Sequence, residues 1–452
     1  MRSATLVVCA AAFATAAPAQ GGVGPAEPGM PLGAWTPVPQ LPGMGRPIDT
    51  ARVAARRRAL AARIGRGVVL VPAAHERDVE RDYIQDNDFR QNNSFFYLTE
   101  LEAQDAWLVL VAGGAAVETA LLLPPRNPPQ ERWTGLRLGP DSTAARLTGI
   151  ARVISTDSLD GVLRLLGHGG AGPLYVPLDA TTRDEPRVRD LLFSGRDVRN
   201  LRPIVDSMRL VKDADEIARM RKAIDISALG QVAAMQGARP GMWEYEIEAV
   251  LEAAFRRNGA DRLGYPSIVG SGANTTTLHY DVNRRQTRDG DLVLIDAGAE
   301  WGQYTADVTR TFPVNGKFTA RQKAIYDLVL ATQQAAFDST RPGTTMARLD
   351  EVAREYMRAH SGKLCGDETC DVYFIHRLGH WLGMDVHDVG DYRTPLGPGM
   401  VLTLEPGIYL PREGLGVRIE DDVLVTASGA EWLSARAPKT TTEIERLMKE
   451  GR

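Results

Sequence analysis

Residues 292–312 read LVLIDAGAEWGQYTADVTRTF, and the way this stretch folds decides the architecture of the C-terminal half. LVLIDAG is a run of large aliphatics ending in an acid and a turn glycine, which reads as a buried central strand delivering Asp296 at its end. TADVTRTF alternates with period two and puts Asp307, Thr309 and Thr311 on one strand face. Only eight residues separate Gly298 from Asp307, few enough for a hairpin that brings both aspartates to one spot. Further on, TLEPGIYL (403–410) places Glu405 before a Pro-Gly turn, and GVRIEDDVLV (416–425) places Glu420 in another strand pattern. Fourteen residues lie between these two acids, so a second hairpin mirrors the first.

Any one of these acids alone reads as a solvated surface or turn residue. Four of them breaking apolar strand patterns, with His380 in HRLGHWLGMDVHDVG (376–390), read differently. Carboxylates buried without partners are costly, whereas two divalent cations bring the positive charge that four carboxylates neutralise. Asp296, Asp307, His380, Glu405 and Glu420 are therefore candidate ligands of a dimetal centre. Two cations roughly 3.5 to 4 Å apart lower the pKa of a shared water and polarise a carbonyl. An oxygen-rich set with one imidazole suits manganese, cobalt or iron better than a thiolate-type zinc site.

Four of the seven histidines, His279, His376, His380 and His387, fall in this same half. Imidazoles near such a centre can shuttle protons or bind an oxyanion. His376 and His380 share only the spacing of a zinc-protease HExxH, because Arg377 stands where the glutamate base belongs.

The motifs IVGSGANTTTLHY (268–280), GDLVLIDAGAEWGQYTADVTRTFPVNGKF (290–318), HRLGHWLGMDVHDVGDYR (376–393), GMVLTLEPGIYL (399–410) and GVRIEDDVLVT (416–426) closely resemble those of aminopeptidase P and its relative prolidase. These are the Xaa-Pro peptidases of the pita-bread metallopeptidase fold. FRQNNSFFYLTELE (89–102) and LPPRNPPQERWTG (123–135) resemble the non-catalytic domain of aminopeptidase P. The resemblance implies an α/β (α+β) chain with an N-terminal creatinase-like α/β domain and a C-terminal pita-bread domain built on a curved antiparallel sheet. It implies that Asp296 ligates one metal, that Asp307 and Glu420 bridge, and that His380 and Glu405 complete the second metal. Glu405 is also implied to take and return the proton of a bridging water. His279, His376 and His387 match the family's active-site histidines, and Tyr409 and Arg418 match partners that hold a carboxylate ligand.

The activity implied is a dimetal Xaa-Pro aminopeptidase using a metal-bridging hydroxide, with manganese as the expected ion, peptides with proline second as partners, and a homo-oligomeric assembly. A bond to proline is a tertiary amide with no N–H and a fixed ring, so a pocket shaped for the ring is needed. Two other readings compete: an Xaa-Pro dipeptidase (prolidase), and a non-catalytic pita-bread protein that binds peptides.

The remaining features set the surroundings. A chain of 452 residues is long enough for two domains, and 44% hydrophobic with 24% charged residues suits a globular protein. A net charge of −4 gives no reason to expect nucleic acid. MRSATLVVCAAAFATAAPAQ (1–20) has a charged start, a short apolar run and Ala17-Pro18-Ala19 as a small-residue cleavage site, so residues 1–19 read as a secretory signal peptide and the mature protein as periplasmic or secreted, with no membrane span. LVVC around Cys9 lacks the small residues expected before a lipidated cysteine.

Export leaves Cys365 and Cys370, in LCGDETC, which can close a small disulfide loop in an oxidising compartment. Residues 20–47 are a Gly/Pro-rich lead-in, 48–200 a first α/β domain with GVVLVP and AWLVLVAG as buried strands, and 201–452 the catalytic domain. The arginines between 52 and 66 read as the solvated face of the opening helix.

Overall fold

The computed structural model describes residues 46–75, 89–113, 117–134, 136–168, 172–179, 182 and 185–451. The expected signal peptide and all but the last two residues of the lead-in lie outside them. The chain divides into two compact units, Met1–Asp206 and Ser207–Arg452. Among the described residues no helix is long and apolar enough to cross a membrane.

In the first unit a six-stranded mixed sheet has the order β4-β3-β2-β1-β5-β6, with β1 Gly67–Pro72, β2 Trp107–Ala112, β3 Glu118–Leu123, β4 Arg152–Ser155, β5 Leu174–Val176 and β6 Val198–Asn200. The two expected strands, GVVLVP and WLVLVA, are its antiparallel central pair and are buried throughout. Helix Thr50–Ile64 is capped by Asp49, whose side chain accepts from the Arg52 N–H. Its arginines correct one expectation: Arg56 and Arg57 are buried, not solvated, and donate to the carbonyls of Tyr97 and Leu98.

In the second unit, helix Ala214–Gly237 is started afresh after helix Arg202–Arg209 by a capping box of Asp213 and Glu216. Its strands are β7 Arg262–Leu263, β8 Ile268–Ser271, β9 Leu292–Ala297, β10 Ala299–Trp301, β11 Tyr304–Thr305, β12 Val308–Pro313, β13 Val401–Leu404, β14 Gly407–Leu410, β15 Leu415–Arg418, β16 Asp421–Val425 and β17 Ala430–Trp432. Their pairings are all antiparallel.

Both expected hairpins form, and each is broken once in the middle. In the first, β9 pairs with β12, setting Asp296 opposite Thr309, and the ladder resumes as β10 with β11 around a Gly302-Gln303 turn at φ 62° and 70°. The break needs Gly298, because a Cβ there would stand 1.8 Å from the Ala306 carbonyl oxygen. In the second hairpin β13 pairs with β16 and β14 with β15, leaving Glu405 and Glu420 opposite each other in the gap. The carbonyls freed at the two gaps are met in the same way. Gln231 of helix Ala214–Gly237 donates to Ile295 and Val308, and Gln333 of helix Ala320–Asp338 donates to Leu404 and Ile419. The hairpins lie side by side: the Glu420 N–H donates to the Thr309 carbonyl at 3.1 Å, and the Thr311 hydroxyl donates to the Arg418 carbonyl at 2.9 Å. Val293, Ile295, Phe312, Ile325, Val329, Leu402, Val417 and Val423 form the fully buried core around them.

Cys365 and Cys370 are joined in a disulfide with their Cα atoms 5.3 Å apart. Closing so short a loop contributes about 2 kcal/mol by the chain-entropy model. Protein purified without reductant is expected to gain mass from iodoacetamide only after reduction; alkylation of both thiols beforehand would show the bridge absent.

Candidate metal centre

The two hairpins place four carboxylates around one volume, Asp296 from within β9 and Asp307, Glu405 and Glu420 from the gaps, and His380 is brought to it by a third segment. Residues 378–382 run beside β13: the Thr403 N–H donates to the His380 carbonyl and the Glu405 N–H to the Leu378 carbonyl. The close approach depends on Gly379, where a Cβ would stand 2.0 Å from the Thr403 carbonyl oxygen. His380 Nε2 then lies 3.3 Å from Asp307, 3.3 Å from Glu405 and 3.9 Å from Glu420. Candidate ligand atoms of Asp307, His380 and Glu420 all fall within 4.8 Å of one another. Asp296 joins them through Tyr265, whose hydroxyl contacts Asp296 at 2.6 Å and also Asp307. All five expected ligands thus converge.

Three observations fit this set to divalent cations. His380 Nδ1 is 3.0 Å from the Trp381 carbonyl, which can only accept, so Nδ1 carries a proton in either charge state, and Nε2, which faces the carboxylates, is the nitrogen that would give up its proton to a cation. Glu420 Oε1 is buried with no hydrogen-bond partner. The carboxylates repel: burial, then the charges of Asp307 and Glu405, push Glu420 far above the usual carboxylate range, and burial with the Asp296 charge raises Asp307. Burial works against the charged form of His380, yet the hydrogen bond to Asp307 and the charges of Glu405 and Asp307 carry it up to about 9. In effect the imidazolium serves as counter-cation where a divalent ion fits better.

The other expected residues lie around this cluster. Burial raises Asp296, but Arg418, 2.6 Å away, holds it below its usual value. The same guanidinium donates to the Tyr409 hydroxyl at 3.0 Å, and Tyr409 meets His376 Nε2 at 2.8 Å. His376 Nδ1 is 2.8 Å from the Arg377 carbonyl, so Nε2 accepts from Tyr409, and burial followed by the Arg418 charge lowers His376 to about 4. His387 packs edge-on against His380 at 4.3 Å between ring centroids; burial, then the charges of His380 and His279, lower it. His279 is exposed. Arg377 is exposed as well and lies 4.5 Å over the Tyr392 ring.

Tyr265 was not singled out by the sequence, since GYPSIV carries no spacing that distinguishes it. Nor were the roles of the acids after Glu420. Asp421 pairs with fully buried Arg310 and with Lys439, and Asp422 accepts from the Asp307 N–H at 3.2 Å.

Known proteins show the same organisation. Residues 218–427 match the model of metallopeptidase family M24, and residues 53–175 match the aminopeptidase P N-terminal domain. A Xaa-Pro aminopeptidase of Escherichia coli (strain K12) is 38% identical over 431 residues, 88% of this chain and 97% of that protein. The chain belongs to the aminopeptidase P family of M24 metallopeptidases. A Xaa-Pro aminopeptidase of Haemophilus influenzae is 39% identical over 382 residues, covering 80% of this chain and 88% of its own length. Among solved structures, aminopeptidase P from E. coli with the inhibitor Pro-Leu superposes with a TM-score of 0.84 at 35% identity, over 90% of this chain and all (100%) of that one. The Pseudomonas aeruginosa aminopeptidase PepP superposes with a TM-score of 0.82 at 38% identity, over 90% of this chain and 99% of that one.

Proposed function

We propose that this member of the family is an exported Xaa-Pro aminopeptidase that removes one residue from peptides with proline in second place. The convergence of Asp296, Asp307, His380, Glu405 and Glu420 on one buried volume carries the reading. Full-length likeness to relatives named Xaa-Pro aminopeptidase supports it over the dipeptidase. The five side chains would hold two divalent cations, with manganese the ion proposed for so oxygen-rich a set. Such a pair supplies a more acidic water and a polarised scissile carbonyl when bound.

The chain's own residues do the rest. Without cations, burial pushes Glu405 up to about 7, with the His380 charge opposing and Asp307 adding; Glu405 is the carboxyl we assign to taking and returning the proton. His376, kept neutral and oriented by Tyr409, and His387 and His279 line the site as hydrogen-bonding groups for substrate. The leaving imino nitrogen of proline must gain a proton, which Glu405 or a neighbouring histidine can deliver. The N-terminal segment supports export to the periplasm or beyond, and a homo-oligomer is proposed by analogy with the family.

Metal-stripped protein restored with manganese is expected to release the first residue from an Xaa-Pro-Yaa tripeptide. Cleavage of Xaa-Pro alone would favour the dipeptidase. Folded, metal-loaded protein cleaving neither would favour a binding protein.

A further inference from the structure

Behind the loop that carries His279 sits a buried carboxylate to which the reaction assigns no role. Glu244 opens helix Glu244–Arg257 and is 0% exposed. Its Oε1 accepts from the Ser271 N–H at 2.7 Å, the Ser271 hydroxyl at 2.7 Å and the Asn274 amide at 3.0 Å. Its Oε2 accepts from the Tyr280 hydroxyl at 2.8 Å and the Arg285 N–H at 2.7 Å. These five donors are all neutral, for the Arg285 guanidinium goes instead to Asp291 and the Ser271 hydroxyl. A carboxylate taken out of water without a cation is costly, and such a set of donors at a helix N-terminus offsets that cost.

The donors come from both sides of one residue. Ser271 and Asn274 precede His279, and Tyr280 and Arg285 follow it. The peptide just before His279 is fastened from the opposite direction, where Arg418 donates to the Leu278 carbonyl at 3.4 Å while holding Asp296 with the same guanidinium nitrogen. Buried Asn283, at φ 49°, ties the loop to strand β8 by accepting from the Val269 N–H and donating to the Ser267 carbonyl. His279 itself is exposed, so its placement is set by this backbone and not by packing of its ring.

We propose that Glu244 is a positioning residue that templates the 271–285 loop so that His279 faces the reaction site. This rests on the reading of His279 as an active-site histidine. Glu244→Gln keeps the side chain's volume but replaces one acceptor oxygen with an NH2 group that, whichever way the amide is turned, faces a backbone N–H, of Ser271 or of Arg285.

The test is a double-mutant cycle in full-length, metal-loaded protein: wild type, Glu244→Gln, His279→Ala and the double variant, each followed by kcat/KM on an Xaa-Pro-Yaa tripeptide, metal content and thermal midpoint. E244Q is expected to lose about 10- to 100-fold in kcat/KM, the scale of a misplaced catalytic group, while keeping its metal. The double variant is expected to be no slower than H279A, because the carboxylate acts through the imidazole. Losses that multiply, or full activity in E244Q beside a slow H279A, would overturn the proposal. Full activity in H279A would instead remove the role of His279, and with it the ground on which Glu244 acts. If E244Q does not fold, Glu244→Asp goes through the same cycle under the same criterion.

Discussion

Glu420→Gln is expected to lower kcat by about 100- to 1,000-fold, the scale seen when a principal electrostatic group is removed from a site, and to lower the bound divalent metal. Glu420 is 1% exposed; its Oε2 accepts from the Thr309 hydroxyl at 2.6 Å, and its Oε1 has no hydrogen-bond partner. Glutamine preserves the shape and the contact with Thr309 but removes the charge. Around it Asp296, Asp307 and Glu405 share one buried volume with Arg418 and His380 as the nearby cations. Such a cluster is strained by its own repulsion until divalent ions neutralise it. The substitution should therefore act in opposite directions on the two forms. Chelator-treated E420Q is expected to unfold at a higher temperature than chelator-treated wild type, whereas the order reverses once metal is restored. Elemental analysis with thermal melts in both conditions checks this. A folded E420Q protein with wild-type turnover and metal content would take Glu420 out of the centre.

The candidate ligands that converge were legible because each acid interrupts a pattern that otherwise reads as buried strand, and a charge in such a place needs a reason. Asp296 after LVLI and Glu405 after VLTL are the clearest cases. The breaks in the two hairpins were not legible, although they are what turns the acids inward. They depend on Gly298 clearing the Ala306 carbonyl and on Gln231 and Gln333 reaching carbonyls 64 and 71 or more residues away in sequence.

Tyr265 and Glu244 escaped notice for a related reason. A tyrosine before Pro-Ser and an acid in a first helical turn are ordinary residues until distant partners close on them. Arg56 and Arg57 teach the converse. They stand three and four residues after Val53 and just before Leu60, so the helical period already put them on the buried face. Their charge argued for solvent, and the open carbonyls of Tyr97 and Leu98 decided otherwise.

The largest stability effect is expected from Asp388→Asn, at about 3 to 5 kcal/mol near neutral pH, the cost of breaking a buried ion pair from one side. The Asp388 side chain is 1% exposed and meets both Arg209 and Lys212, the latter at 3.2 Å and itself 1% exposed. Residues 381–388 fold around the carboxylate. The Asp388 N–H donates to the Trp381 carbonyl, and a Cβ on Gly383 would stand 2.1 Å from Asp388 Oδ2. Asparagine fits this space but brings no charge and only one acceptor oxygen for two cations, so either Arg209 or Lys212 then faces an amide NH2. For a unit of this size the midpoint of thermal unfolding should fall by roughly 6 to 20 °C.

The pH dependence separates charge from packing. Burial raises the Asp388 pKa, but the Arg209 charge, then that of Lys212, outweighs it and holds the group below its usual value. A carboxyl depressed in the folded state contributes stability that is full above its unfolded pKa of about 4 and is lost as the pH falls through the lower folded value. The gap between wild type and D388N, measured by urea unfolding, should therefore be widest near pH 7 and narrow below about pH 4. A gap that stays constant on acidification would mean that Asp388 acts through shape and hydrogen bonding, with the two cations stabilised by other groups.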